Sequence, residues 1–387
     1  MSVMQSSTLS QAGLNAETLR SLRCRTPFFA FSRRALIGNF HAYQKHLPAR
    51  TEICYAMKAN SESPVLRTLH EAEASFEVAS KHELALLKKI RVPAQRIIYG
   101  AAVKPTDHIY EFVKYGVDRF AFDSEQELLK IGKLAPHARV YVRAHVDDRS
   151  DSVFNMSEKF GTSLEEAVVL LLKAKELGMT PYGISFNVGS QARNKNAWAR
   201  GIKAVSMTMS RLLEKGIRIQ VINLGGGFPH SYQDDQAVPI IEEISEHIGE
   251  AVKGLPYPVD LIAEPGRGLV ANTFALVTSV IGKNRRSNGH WLYLDAGVYN
   301  AVMESLTCQG STKYRVASLN SHSSASTAEF ILTGPTGDAL DVINRSVLLP
   351  AETDAGSRLV FYDTGAYTLT LATQFNGFPK PKIMVLS

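Results

Sequence analysis

The chain is short of cysteine, of long apolar runs and of charge blocks of one sign. Its three cysteines, Cys24, Cys54 and Cys308, are odd in number and widely spaced. That argues against a disulfide framework or a zinc site and fits a reducing compartment. No stretch approaches the roughly 18 consecutive apolar residues of a membrane span. The opening MSVMQSSTLSQAGLNAET lacks the basic start and apolar middle of a secretory leader. The expected location is therefore the cytoplasm. Lys and Arg number 43 against 37 Asp and Glu, a net charge of +6. These basic residues are dispersed and not interleaved with aromatics, so neither nucleic acid nor a membrane is expected as a partner. An anionic cofactor or substrate accounts for the excess as well.

What is present is a globular composition, 45% hydrophobic and 21% charged, over 387 residues. That length exceeds one ordinary core of about 150 residues. Eight apolar runs read as strands: Glu52–Met57, Ser75–Ala79, Arg96–Tyr99, Asp118–Phe122, Ala138–Arg143, Tyr182–Asn187, Gln220–Leu224 and Asp260–Glu264. Between them lie stretches such as Glu83–Lys89, Glu125–Leu134, Leu164–Leu177 and Ala197–Lys215, with apolar residues three and four apart. Eight strand–helix units predict an α/β fold, a (β/α)₈ barrel of the TIM type, with an open doubly wound sheet as the alternative should one strand be misread.

After Val270 the pattern changes. Phe274–Ile281, Trp291–Leu294, Phe330–Leu332, Val347–Leu349, Arg358–Tyr362 and Tyr367–Leu371 are strand-like and separated by turn residues. Ser318–Thr327 is polar and reads as a loop. The expected organisation is an N-terminal extension over 1–25, a barrel over 26–270 and a C-terminal β domain over 271–387. The strand at Thr26–Ser32 is expected to pair with that β domain.

In a barrel, chemistry collects where strands end. Lys58 follows the first strand. Glu77 and Ser80 close the second, Arg143 the fifth, and Asn187 and Ser190 the sixth. Gly225, Gly226 and Gly227 end the seventh, and Glu264 and Arg267 the eighth. Taken singly, each has a plain structural reading: a solvated lysine, a tight turn, a satisfied strand-end acid. Together they describe a site for pyridoxal phosphate. A partly desolvated lysine is a competent amine nucleophile, glycines bring backbone amides around a phosphate, and a carboxylate keeps the pyridine nitrogen protonated.

The ordered motifs YAMKAN, FEVASKHE, SFNVGSQ, LGGGFP, AEPGR, DAGVYN, GPTGDALD and DTGAYT…FNGF resemble the ornithine/diaminopimelate decarboxylase family. This is the alanine-racemase-like fold type III of pyridoxal-phosphate enzymes. The resemblance runs from about Thr26 to Pro381. It implies an amino-acid decarboxylase in which Lys58 carries the cofactor, with Glu77, Glu83 and Arg143 around it. Ser190, Gly225 to Gly227, Arg267 and Tyr367 would bind the phosphate, and Glu264 the pyridine nitrogen. It further implies a homodimer, with Gly334–Asp341 reaching the partner's site and Asp338 facing the far end of the substrate.

Three departures from the family bear on the substrate. Asn187 stands where the family usually has a stacking His, and an amide cannot supply that π-face. Gly337 stands where a cysteine is placed to steer protonation after CO₂ leaves. Near Thr307 and Cys308 an acid for the substrate's terminal ammonium is missing. Losing one partner of a charged pair costs about 2–5 kcal/mol. Together, Gly337, Asp338 and Cys308 point to a substrate larger or less cationic than free ornithine, such as an N-acylated or citryl-linked diamino acid. Decarboxylation of free ornithine or lysine, and a catalytically silent decarboxylase-like binding protein, are the alternatives. A racemase of the same fold needs a second base at Cα. A diaminopimelate decarboxylase would carry Glu where Asp338 stands.

Overall fold

The structure, a computed structural model, describes residues 13–146, 152–154, 159–232, 238–307, 314–320 and 326–386. It divides into two compact units, one of residues 40–229 and 237–268, the other of 1–39, 230–236 and 269–387.

The first unit is a closed barrel of eight parallel strands. These are β1 (Thr51–Ala56), β2 (Ser75–Val78), β3 (Ile97–Tyr99), β4 (Arg119–Phe122), β5 (Arg139–Arg143), β6 (Thr180–Ser185), β7 (Val221–Asn223) and β8 (Asp260–Ala263). Strands pair in chain order, and β8 closes on β1 through Leu261↔Thr51. All eight expected strands are present, most shortened by one or two residues. Tyr182–Asn187 shifts to Thr180–Ser185, which leaves Phe186 and Asn187 beyond the strand end.

Alternation along the strands sorts the side chains. Cys54, Ile98, Val221 and Ile262 pack together as one buried cluster, with Tyr182 against it. Gly183 makes room for this packing, because a Cβ there would fall 2.4 Å from Val221 Cγ1. Glu52 and the buried Arg119, from the first residues of β1 and β4, form a two-point ion pair with one contact of 3.0 Å.

Helices α1 (Ser63–Glu71), α2 (Lys81–Lys89), α3 (Thr106–Tyr115), α4 (Glu125–Leu134), α5 (Leu164–Glu176), α6 (Ala197–Glu214) and α7 (Ile241–Lys253) connect the strands. Three of them begin with the same local signal, Ser-x-x-Glu. Ser80, Ser124 and Ser163 each accept a hydrogen bond from the amide three residues on, that of Glu83, Glu127 and Glu166. Two short strands, Ser152–Phe154 and Ser190–Ala192, pair antiparallel outside the barrel.

The second unit is a mostly antiparallel sheet. Val316–Ser318, Arg358–Tyr362, Phe274–Arg286, Gly289–Leu294, Thr327–Thr333 and Val342–Pro350 lie side by side in that order. Phe28–Ser32 pairs antiparallel with the Phe274–Arg286 strand and parallel with Lys382–Leu386. Phe28, Ala30, Ala275, Val277, Val360 and Tyr362 form its buried centre.

The strand expected at Tyr367–Leu371 does not exist; Thr364–Leu371 is a run of turns and bends. Asp363 and Tyr367 both have positive φ, 62° and 53°, which breaks the extended backbone a ladder needs. The Thr368 hydroxyl donates back to the Thr364 carbonyl at 2.7 Å, closing the turn. The loop expected at Ser318–Thr327 lies partly outside the described residues, and its two ends belong to strands. No helix among the described residues is long and apolar enough to cross a membrane.

Candidate active site

Lys58 lies in a single 3₁₀ turn, Met57–Ala59, at the C-terminal end of β1. Its Nζ donates to Glu77 Oε2 at 2.9 Å, and Glu77 is buried while the Lys58 side chain is half exposed. The lysine reaches the barrel mouth partly exposed and is held there by a buried carboxylate. Gly100, at the end of β3, makes space for that carboxylate, since a Cβ would fall 2.4 Å from Glu77 Oε1.

Glu264 follows β8 and is partly buried. Burial first, then the negative charge of Glu77, push its carboxyl up to about 7, while Lys58, the Asn223 hydrogen bond and Arg143 pull the other way. Arg143, at the end of β5, has Glu264, Asp123 and Glu77 as its acidic neighbours and lies 5.3 Å from the Phe160 ring centroid. The ends of β1, β2, β5 and β8 thus bring Lys58, Glu77, Arg143 and Glu264 into one electrostatic group. A carboxyl raised by burial and a neighbouring acid is poised to ionise when a cationic ring nitrogen meets it.

The glycine triplet has the form a phosphate cradle requires. Its three carbonyls are bound by protein donors: Gly225 O by the Glu264 amide at 2.9 Å, Gly226 O by Trp198 Nε1 at 3.3 Å, Gly227 O by the Ala192 amide at 3.0 Å. The Gly225 amide donates to Asn223 Oδ1 at 2.9 Å. The amides of Gly226 and Gly227 have no partner among the described residues. Side chains are impossible where the backbones approach. A Cβ on Gly225 (φ +64°) would lie 2.2 Å from Phe186 O, and one on Gly227 (φ +93°) 2.6 Å from Gly189 O. Two amides without a partner among the described residues, a lysine and two acids beside it fit pyridoxal phosphate.

Other expected residues fall as follows. Ser190 opens the short strand Ser190–Ala192, and the nearly buried Arg267 opens the helix Arg267–Val270. Glu83 caps α2, its Oε2 accepting the Ala79 amide at 2.7 Å, so its carboxylate serves the helix start. Asn187 Oδ1 accepts the Gly189 amide at 2.8 Å in a local turn, a task a stacking imidazole does not perform. In the β unit, Tyr367 occupies the turn described above. Asp338 Oδ1 accepts from the Tyr299 hydroxyl at 2.9 Å and the Leu340 amide at 2.8 Å. Gly337 has no heavy atom within 4 Å of the position of a Cβ. Cys308 lies outside the described residues. No group of acids, histidines and cysteines suited to a metal occurs among the described residues.

Two residues were missed by sequence reasoning. Tyr299, in the DAGVYN motif, holds Asp338. Asn223 donates from Nδ2 to Glu264 Oε1 at 2.6 Å. A polar residue at the end of an apolar strand, two positions before the glycine run, was the available signal for it.

The charge balance of Glu264 predicts a pH effect on the cofactor-free protein. With its carboxyl raised in the fold, the stabilisation is complete at pH values below the ordinary glutamate range. It is lost as pH rises through about 7. Thermal unfolding at pH 5.5 and 8.5 should show this loss, and Glu264→Gln should flatten the profile. An unchanged slope in the variant would refute the assignment.

Comparison with known proteins agrees with the site. Residues 33–271 match the family described as pyridoxal-dependent decarboxylase, pyridoxal binding domain. The chain is 31% identical over 359 residues to a lysine/ornithine decarboxylase of Selenomonas ruminantium, covering 92% of this chain and 88% of that one. It is 32% identical to antizyme inhibitor 2 of Xenopus laevis, covering 93% and 80%. The solved structure of lysine/ornithine decarboxylase from Vibrio vulnificus with cadaverine superposes with a TM-score of 0.85 at 30% identity, covering 99% of this chain and 98% of that one. The barrel, the lysine at its mouth and the glycine cradle thus have one explanation: the chain belongs to the ornithine decarboxylase-like, fold type III family and is a pyridoxal-phosphate-dependent amino-acid decarboxylase.

Proposed function

We propose that this enzyme removes the α-carboxylate of an L-diamino acid of the ornithine or lysine type, with room at the far end for an N-acylated or citryl-linked form. Bound pyridoxal phosphate supplies the electron sink that lets the Cα–carboxylate bond break. Lys58 is the amine that would hold it, and Glu77, 2.9 Å away, is placed to take and return the amine proton. Glu264 would face the ring nitrogen and Arg143 would lie beside the ring. The Gly226 and Gly227 amides, Ser190, Arg267 and Tyr367 would hold the phosphate.

The observation that carries the finer reading is the open space at Gly337, beside an acid with one oxygen to spare. Both donors to Asp338 meet Oδ1, and its Oδ2 has no partner among the described residues. That oxygen suits an ammonium or amide N–H at the far end of a substrate. The surrounding turn is preformed: Asp341 accepts from the Val298 amide at 2.8 Å and from Thr336 Oγ1 at 2.7 Å. Such a rigid turn suits insertion into a second subunit, and the active form is proposed to be a homodimer. Free ornithine or lysine is the competing substrate. It is favoured by the lysine/ornithine decarboxylases among the relatives and by the same Asp338.

Mass spectrometry of products separates these readings. The cofactor-loaded protein is incubated with L-ornithine, L-lysine, L-arginine, meso-diaminopimelate, and N-acylated and citryl-linked ornithine. Loss of CO₂ from a conjugate in preference to the free amino acids is the expected result. Faster turnover of free ornithine or lysine would keep the reaction and reject the enlarged pocket.

A further inference from the structure

Asn223 is wholly buried at the end of β7 and touches both ends of the cofactor site. Its Nδ2 donates to Glu264 Oε1 at 2.6 Å, and its Oδ1 accepts from the Gly225 amide at 2.9 Å. The Glu264 amide in turn donates to Gly225 O at 2.9 Å, closing a ring of three hydrogen bonds. The orientation of the Asn223 amide is not free. A backbone N–H can only donate, so the atom facing Gly225 must be the oxygen, and the atom facing Glu264 must be the NH₂. Glu264 Oε1 therefore accepts here, and since a hydroxyl oxygen accepts less strongly than a carbonyl oxygen, a proton on this carboxyl is favoured on Oε2. The loop cannot relax independently, because Gly225 is wedged against the Phe186 carbonyl.

We infer that Asn223 is a positioning residue. It assigns Oε2 of Glu264 to the cofactor's ring nitrogen, and it couples that carboxylate to the phosphate cradle so that the two ends of the cofactor bind cooperatively. A neutral amide is suited to this task, since it donates to a carboxylate without neutralising it. The inference rests on the cofactor assignment above and goes beyond it in giving one residue outside direct cofactor contact control over both ends.

The test uses cofactor-free full-length protein and two probes, pyridoxal 5′-phosphate and pyridoxal, titrated by absorbance from pH 6 to 9. In the wild type, the phosphate should strengthen binding by a large ratio. Asn223→Leu, which keeps the branched skeleton without its polar atoms, should weaken pyridoxal 5′-phosphate about tenfold or more and shrink that ratio. Asn223→Asp should recover affinity toward pH 6, where a shared proton lets the introduced carboxyl donate to Glu264, and lose it toward pH 9. A purely structural role would weaken both probes equally and leave the pH profile unmoved; that outcome overturns the inference. If Asn223→Leu does not fold, the pH profile of the isosteric Asn223→Asp decides alone, and a wild-type profile in it is the overturning result. Wild-type protein that binds neither probe would instead sink the cofactor assignment, and this inference with it.

Discussion

Replacing Lys58 with alanine is expected to lower turnover by more than about 10⁴-fold, the scale seen when a covalent catalytic group is removed. It should also abolish the visible absorbance of cofactor held through the lysine amine. The reason is positional. Lys58 is carried on a single turn at the end of β1, half exposed, and its amine is 2.9 Å from a buried acid. Arg143, the other cation of the group, is a guanidinium that stays protonated and cannot act as an amine nucleophile. Loss of Lys58 also leaves the buried Glu77 without the ammonium it meets at 2.9 Å, so the variant should stay folded but lose about 2–5 kcal/mol of stability at neutral pH. Circular dichroism and the thermal midpoint check this. A variant with the wild-type absorbance would mean that another group holds the cofactor.

Gly225→Ala is expected to destabilise the protein by about 3 kcal/mol or more and to remove cofactor binding with it. Two costs add at this residue. The backbone at φ +64° is disfavoured for any side chain by about 1–2 kcal/mol. The new methyl would also lie 2.2 Å from the Phe186 carbonyl oxygen, a clash that only a backbone shift relieves. That shift would pull the Gly225 amide off Asn223 and loosen Glu264 through it. Gly226→Ala, whose Cβ would meet the Glu264 carbonyl at 3.0 Å without a positive φ, should cost less than half as much. Urea unfolding of the two variants side by side provides the measurement. Equal losses would show that the close approach at Gly225 is not what constrains the loop.

The eight barrel strands were legible because each is a short apolar run between turn residues, and parallel strands buried on both faces read that way. Three helix starts are set locally by Ser80, Ser124 and Ser163, whose hydroxyls accept from amides three residues away. These are local effects, and a linear reading captures them. Lys58, the glycine triplet and Glu264 stood out for a related reason. A barrel sends chemistry to the ends of its strands, so a strand list is also a list of candidate site positions.

Other features were not legible. Tyr367–Leu371 has the composition of a strand, but positive φ at Asp363 and Tyr367 turns it into a compact turn. The pairing of Ser152–Phe154 with Ser190–Ala192 joins segments nearly forty residues apart and has no local signal. The part Glu83 plays at the start of its own helix, accepting the Ala79 amide, has no signal in the strand list. Asn187 looked only like a missing histidine, and its side chain closes a turn onto Gly189.

By itself the chain's order of residues determined the barrel and placed Lys58, the glycine triplet and Glu264 at its strand ends, since periodicity and strand ends follow from local chemistry. The folded arrangement decided how these groups are tuned: Glu77 against Lys58, Asn223 on Glu264, and Tyr299 on Asp338. Each of those contacts joins residues from different strands or turns. Charge and hydrogen bonding act over a few ångströms of space, and only closure of the barrel and the sheet brings such residues within that range.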